Sequence, residues 1–168
     1  MLDALSIRPV VQEDLPTLLE WRNHPSVRAC MLTQHIITPT EHARWFDKVS
    51  QDPSRALCIV ESPNGPMGYV QFDDVRPQGV SQWGFYLNPQ APKGSGSAFG
   101  AVALHHAFEK LQIHKVCGQV LDTNLASQAF HNKLGFQLEG TLRQHHALNG
   151  AFHGLVCYGL LASEWSSA

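Results

Sequence analysis

Three strand-like segments follow one another in the middle of the chain with no helical pattern between them. They cover residues 56–61, 67–73 and 80–87, and Pro63-Asn64-Gly65-Pro66 separates the first two. Proline, asparagine and glycine in so short a connection favour a tight turn, so the first two strands are predicted to form a hairpin. A chain with this centre must build a β-sheet, and its other segments have to cover that sheet.

Further strands and helices are predicted before and after the three central strands. Before the central run come a strand and two helices, the second of which starts with a capping box formed by Thr38 and Glu41. After it come a helix, a strand, a helix capped by Asp122 or Thr123, and a final hairpin that turns at Asn149-Gly150. The order β-α-α-β-β-β-α-β-α-β-β predicts an α/β (α+β) fold, with a central mixed, mostly antiparallel twisted sheet and helices on both faces.

Length and composition exclude several classes of protein. The 168 residues predict a single domain spanning residues 1–168, with 163–168 as a flexible tail. Twelve basic against fourteen acidic residues give a net charge of −2, which argues against nucleic-acid binding because that function needs a basic face. The longest apolar stretch, Gly154 to Ala162, is far shorter than the ~20 residues that span a bilayer, and Met1 to Val10 has no secretory pattern. We expect a cytoplasmic protein without membrane or nucleic-acid partners.

Cysteine and histidine spacing gives no metal-binding motif. The four cysteines are far apart and form no Cys-x-x-Cys pair, which favours reduced thiols. Ten histidines are many, but the adjacent pairs His105-His106 and His145-His146 point in different directions on a helix or strand. We therefore expect no bound metal ion.

A glycine-rich loop joins the third central strand to the next helix. Its sequence is Lys93-Gly94-Ser95-Gly96-Ser97-Ala98. Small residues let successive backbone N–H groups converge, and the start of the following helix adds partial positive charge, so the loop suits a diphosphate. The spacing is neither that of a Walker loop nor that of a dinucleotide-binding fingerprint. A flexible loop that merely contains glycines is the alternative interpretation.

The predicted helix at residues 124–133 has one polar and one apolar face. Asn124, Ser127 and His131 recur at helical spacing on the polar face. The apolar face carries Ala126, Ala129, Phe130 and Leu134. Such a polar stripe is either the solvated side of a helix or the wall of a site.

The glycine loop and this helix together resemble the GNAT superfamily of N-acetyltransferases, and the resemblance covers nearly the whole chain. In that superfamily a loop of the form Arg/Gln-x-x-Gly-x-Gly/Ala holds the diphosphate of coenzyme A, and Lys93-x-x-Gly96-x-Ala98 matches it with the positive charge kept. The second match is His131-Asn132-Lys133-Leu134-Gly135-Phe136. The resemblance implies the GNAT fold, acetyl-CoA as co-substrate, and a splayed strand that holds the pantetheine arm. The implied cofactor-binding residues are Phe85, Tyr86, Leu87, Lys93, Gly94, Ser95, Gly96, Ser97, Ala98, Asn124, Ser127 and Lys133.

The first part of the chain narrows this resemblance to a subgroup. Trp21-Arg22-Asn23-His24-Pro25, Thr33-Gln34-His35-Ile36 and Glu41-His42 are similar to UDP-amino-sugar N-acetyltransferases of pseudaminic acid biosynthesis. This implies acetylation of the 4-amino group of a UDP-linked amino-deoxy sugar whose product is used on flagellin and other surface glycans. The implied substrate-binding residues are Trp21, Arg22, His24, His35, His42, Gln82 and Trp83. A core tryptophan beside a surface arginine is the alternative interpretation of Trp21-Arg22.

Two positions depart from the usual GNAT pattern. His131 stands where many members carry a catalytic tyrosine, and because an imidazole titrates near ~6.5, His131 is the expected general acid. Its alternative role is a hydrogen bond to the cofactor or to solvent. Gln82 stands where many members carry a glutamate, and glutamine is not a useful base, so no base is assigned.

The departures leave other functions open. These are N-acetylation of protein N-termini or of polyamines on the same scaffold, and a non-catalytic acetyl-CoA-binding module. The sequence does not determine the oligomeric state, although a homodimer is compatible with it.

Overall fold

The computed structural model describes residues 5–166 and contains a seven-stranded sheet in the order β1-β2-β3-β4-β5-β7-β6. The strands are β1 (Ser6–Pro9), β2 (Ala56–Ser62), β3 (Gly65–Asp73), β4 (Val80–Leu87), β5 (Lys115–Leu121), β6 (Gln137–Leu148) and β7 (Ala151–Leu161). The helices are α1 (Leu15–Asn23), α2 (Pro25–Arg28), α3 (Pro39–Val49), α4 (Ser95–His105) and α5 (Leu125–Lys133). Neighbouring strands are antiparallel except β4 and β5, which are parallel. The predicted mixed, mostly antiparallel sheet is confirmed.

Helices cover both faces of the sheet and produce two apolar layers. The layer beneath α4 includes Phe72 and Phe99, and the layer beneath α1 and α3 includes Leu18 and Ile59. Because side chains alternate along a strand, β4 contributes to both layers and lies where they meet. No helix in residues 5–166 has both the length and the apolar character needed to span a bilayer.

Local sequence signals determine several element ends as predicted. The Thr38 hydroxyl oxygen accepts a hydrogen bond from the Glu41 amide (3.2 Å), and the Glu41 carboxylate accepts one from the Thr38 amide (2.7 Å). Asn149 and Gly150 have φ values of 52° and 78°, as a type I′ turn requires. The capping box and the last hairpin are therefore confirmed.

The predicted cap of α5 is wrong. Asn124, rather than Asp122 or Thr123, accepts a hydrogen bond from the amide of Ser127 (3.1 Å). The Asp122 carboxylate instead accepts from the amide of Gly154 on β7 (2.8 Å), so the strand next to β5 in the sheet determines its role. After His24, residues 25–28 form the short helix α2.

The segment after β7 packs against the rest of the fold over its described part. Glu164 accepts a hydrogen bond from the side chain of Gln137 (2.6 Å), and the Trp165 ring lies 6.1 Å from that of Phe108. Two residues of the predicted flexible tail therefore contact the rest of the fold, and the flexibility of the tail stays a prediction. Residues 167–168 lie outside the described part of the chain.

Candidate functional site

Strands β4 and β5 pair over only three residues each and then separate. Val80–Gln82 is in register with Lys115–Cys117. Beyond that point β4 continues along β3, and β5 continues along β7. The backbone groups of residues 83–87 that face β5 therefore have no strand partner in the described structure.

The separation opens a cavity of about 850 Å³. Its walls are the diverging parts of β4 and β5, the start of α5, and the chain between α1 and α3. The predicted site residues that line it are Arg22, Gln82, Trp83, Phe85, Tyr86, Leu87, Asn124, Ser127 and His131. The volume is typical of a small-molecule site.

The glycine loop lies beside this cavity without lining it. Gly94 has φ of +89° and precedes α4 without a side-chain cap, so the first-turn amides of Gly96 and Ser97 have no helical acceptor. Ser95 is different, because its amide (3.1 Å) and hydroxyl (2.6 Å) both donate to the carbonyl of Pro92. Phe130 connects loop and cavity, since its ring lines the cavity and lies 3.5 Å from where a Cβ on Gly96 would be. The loop can thus offer an anion the amides of Gly96 and Ser97, but not that of Ser95 in this conformation.

His131 is buried among aromatic rings and is 2% exposed. Its Nδ1 lies 2.8 Å from the carbonyl oxygen of Ser127, and its Nε2 lies 3.1 Å from the indole nitrogen of Trp83. A carbonyl only accepts and an indole N–H only donates, so Nδ1 carries the proton and Nε2 accepts. Burial lowers the pKa of His131 below its usual 6.5, which keeps the ring neutral. The single ring proton is held by the backbone, so this geometry does not support the predicted general-acid role.

Gly118 on β5 makes room for the Trp83–His131 pair. A Cβ at this position would lie 2.6 Å from Nε2 of His131 and 2.9 Å from Nε1 of Trp83. Trp83 also stacks on Phe136, with ring centroids 5.1 Å apart. The buried hydrogen bond therefore depends on the absence of a side chain on the neighbouring strand.

Arg22 is the only formally charged side chain among the described residues that line the cavity. Its Nη2 donates to the carbonyl of Thr33 (2.7 Å), whereas its Nη1 is buried without a hydrogen-bond acceptor in the described structure. Burial lowers the pKa of Arg22 from its usual range. A buried charged donor without a partner is costly, so this atom points to a ligand oxygen. Residues 5–166 bring together no group of three His, Cys, Asp or Glu side chains that could hold a metal ion.

Several predicted binding residues lie outside the cavity. Trp21 is buried in the layer beneath α1 and α3, so its core interpretation holds. His24 caps α2, His35 bonds the capping-box glutamate (3.2 Å), and His42 is buried against an indole ring of its own helix (centroids 5.2 Å apart). Lys133 is exposed at the end of α5. Trp21 and the three histidines therefore make local contacts, and none of the four lines the cavity.

Gln71 on β3 is a lining residue that the sequence analysis missed. It lies opposite Gly84, accepts from the hydroxyl of Tyr69 (2.9 Å) and donates to the carboxylate of Asp73 (3.0 Å). These three polar residues alternate along one strand and share a face, and that pattern could have identified Gln71. By contrast, the loop carrying Thr33 was indicated only by the resemblance of residues 33–36, and no periodic pattern marks it as a cavity wall.

Comparisons with known sequences agree with this geometry. Residues 4–137 match the family model of the acetyltransferase (GNAT) domain. The SPbeta prophage-derived uncharacterized N-acetyltransferase YokL of Bacillus subtilis (strain 168) is 30% identical over 125 residues, which is 72% of this chain and 70% of that protein. The acetyltransferase PseH of Campylobacter jejuni (strain 81-176) is 27% identical over 124 residues, 74% of this chain and 77% of that protein.

Solved structures share the fold. Spermidine N-acetyltransferase from Vibrio cholerae, in complex with CoA and spermine, matches with a TM-score of 0.88 at 19% identity over 96% of this chain and 98% of that one. A dodecameric structure of that enzyme in an intermediate state matches with a TM-score of 0.79 at 19% identity, over 96% and 95% of the two chains. At such identity the likeness shows the fold alone.

Proposed function

The chain belongs to the GNAT acetyltransferase family, and from that premise we propose that it acetylates the amino group of an anionic, UDP-linked amino-deoxy sugar. Family membership makes it an acetyl-CoA-dependent N-acetyltransferase. The choice of acceptor is our inference. It depends chiefly on Arg22, the only charged side chain in the described cavity lining, whose buried Nη1 has no partner.

The chain's own groups fit acetyl-CoA, which supplies the activated acetyl group when bound. The strand backbone at residues 83–87, unpaired on the β5 side, suits the amide-containing pantetheine arm, because an extended chain can add to an open strand edge. The amides of Gly96 and Ser97 at the start of α4 suit the diphosphate. Asn124 and Ser127 line the cavity on the α5 side. Strand N–H groups aimed at the thioester oxygen would stabilise the negative charge that develops there.

Charge favours an anionic acceptor over a polyamine. A guanidinium group matches phosphate oxygens in shape and charge, and the unpaired Nη1 of Arg22 is available for one. A cationic acceptor would need carboxylates, and the described cavity lining contains none. We therefore do not extend spermidine acetylation from the Vibrio cholerae enzyme to this chain.

The finer assignment concerns the sugar. The similarity of residues 21–25, 33–36 and 41–42 to UDP-amino-sugar N-acetyltransferases supports a nucleotide sugar with a 4-amino group, on the route to pseudaminic acid and flagellin glycosylation. The 27% identity to the acetyltransferase PseH adds weak support for it.

An acceptor panel tests this proposal. Release of the coenzyme A thiol is measured with UDP-linked 4-amino sugars, spermidine and peptides with free N-termini. We expect the highest kcat/KM for a nucleotide sugar, with a loss in Arg22→Ala and none in Arg44→Ala, an exposed arginine on α3. A preference for spermidine or a peptide would reject the acceptor and leave the family assignment intact.

We also propose that the chain self-associates, as the dodecameric Vibrio cholerae enzyme does. Strand β6 lies at the sheet edge, where Leu138 is 62% exposed, and Phe152 on the neighbouring strand β7 is 69% exposed. Exposed apolar groups at an open edge are typical of surfaces that assembly covers. Light scattering should give a mass that is a multiple of 18.6 kDa, and a monomer would contradict the proposal.

A further inference from the structure

The β6–β7 turn reaches the chain segment between α2 and α3. Nε2 of His146 donates to the carbonyl of Leu32 (2.7 Å), and the amide group of Asn149 donates to the side-chain oxygen of Gln34 (3.3 Å). These pairs are 114 and 115 residues apart in the chain. We call residues 146–150 the hairpin tip and residues 29–37 the acceptor loop.

The acceptor loop forms a wall of the cavity and holds Arg22. Leu32 and Thr33 line the cavity, and the Thr33 carbonyl accepts the hydrogen bond from Nη2 of Arg22. One end of the loop is fixed to α1, because the Asn23 side chain exchanges two hydrogen bonds of 2.8 Å with the backbone of Ile37. The lining residues lie several positions from that anchor and are held by the hairpin tip.

A β-bulge in β6 directs the hairpin tip towards the acceptor loop. Leu142 pairs with Leu155 and His146 pairs with His153, so four steps along β6 oppose two along β7. Gln144, between them, has φ of +49°, a left-handed conformation. Extra residues of this kind bend a strand and redirect its side chains. The neighbouring His145 is exposed and makes no hydrogen bond among those described.

We propose that the hairpin tip sets the position of Arg22 for the acceptor, with His146 and Asn149 as positioning residues. His146 acts through the Leu32–Thr33 backbone, and Asn149 acts through the side chain of the next residue, Gln34. Neither side chain lines the cavity. The inference uses the proposed function only for the identity of the acceptor. The positioning itself applies to whichever amine the enzyme acetylates.

Hydrogen–deuterium exchange of the protein without ligands tests the contact. His146→Ala should speed exchange in the peptide covering residues 29–37, and His146→Gln, which restores a side-chain N–H donor, should slow it again. His145→Ala is the matched control and should leave exchange unchanged. Unaltered exchange in His146→Ala would overturn the proposal.

Steady-state kinetics test the expected effect on acceptor binding. The acceptor is the compound of the panel that the wild-type enzyme acetylates. In His146→Ala the KM for the acceptor should rise about threefold to tenfold, the size of one hydrogen bond, while the KM for acetyl-CoA stays within about twofold. Asn149→Gly removes the second contact, keeps a residue that tolerates positive φ, and should act in the same direction. Equal rises in both KM values, or none, would overturn the proposal. A cationic acceptor would reject only the proposed substrate class.

Discussion

The proposed cofactor-binding and acceptor-binding parts of the site, called here its cofactor end and its acceptor end, are built in different ways. The cofactor end is one continuous piece of chain that consists of β4, the glycine loop and α4. The polar groups that it presents to a ligand are backbone amides. At the acceptor end, side chains hold distant carbonyls, as Arg22 holds Thr33 and His146 holds Leu32. Backbone conformation and close packing therefore determine the first end, and single side-chain hydrogen bonds determine the second. Substitutions at the two ends should separate acetyl-CoA binding and stability from acceptor binding.

The largest effect is expected from Gly118→Ala. The new Cβ would collide with the buried Trp83–His131 pair, so the free energy of unfolding should fall by about 2–3 kcal/mol, as for other overpacked cores. Chemical denaturation measures this. Gly84→Ala on β4 is the control, because its Cβ would lie 3.6 Å from the nearest atom, on Gln71, at ordinary contact distance. An equal free energy of unfolding in Gly118→Ala and the wild type would contradict the close packing of Gly118 against the Trp83–His131 pair.

A smaller effect is expected from the titration of His131. Burial lowers its pKa below 6.5 in the folded state, so the unfolded chain takes up the proton first as the pH falls. Stability is full above about pH 6.5 and declines below it, by at most about 1.4 kcal/mol per pH unit for one group. Burial also lowers the pKa values of His42 and His106, so these add to the decline.

Removing one titrating ring should flatten that decline. Denaturation curves of His131→Gln between pH 7 and 5 should have a smaller pH slope than the wild type, whatever the variant's stability at pH 7. His145→Gln, at an exposed position on β6, should keep the wild-type slope. An unchanged slope in His131→Gln would contradict the buried neutral ring.

The smallest effect is expected at the glycine loop. Gly94→Ala places a Cβ on a residue with φ of +89°, which strains the backbone by about 1 kcal/mol. A loop that shifts to relieve part of this strain must return to bind the diphosphate, so the KM for acetyl-CoA should rise by at most about fivefold. Gly65→Ala, with φ of +113° in the β2–β3 turn, carries comparable backbone strain away from the cavity. Stability should fall in both variants, whereas only Gly94→Ala should alter acetyl-CoA binding. A KM effect in both would remove the specific role of the loop.

Elements that are marked by local signals could be predicted from the sequence. A capping box, an Asn-Gly turn and a glycine loop each depend on residues within a few positions, and such contacts form wherever the surrounding fold permits. The alternation of side chains along β4, which places this strand between the two apolar layers, is also a local signal. The resemblance to the GNAT superfamily used one of these segments, the glycine loop, together with residues 131–136.

The acceptor end could not be predicted in this way. Tertiary packing decides whether a histidine side chain faces a cavity or turns to a neighbour in the chain. In this structure His24, His35 and His42 all contact neighbours in the chain. The tautomer of His131 depends on Trp83, 48 residues away. Arg22 lines the cavity, and its role in binding phosphate stays a prediction. The loop that holds it carries no periodic pattern.

The claim that the acceptor end binds a phosphate-bearing ligand through Arg22 can be tested directly by equilibrium binding. UDP is titrated calorimetrically into the CoA-saturated wild type, Arg22→Ala and Arg44→Ala. The account predicts that UDP binds the wild type and Arg44→Ala alike and binds Arg22→Ala at least about tenfold more weakly, the loss expected for a charged hydrogen bond. Equal binding to all three proteins, or binding of spermidine in place of UDP, would contradict it.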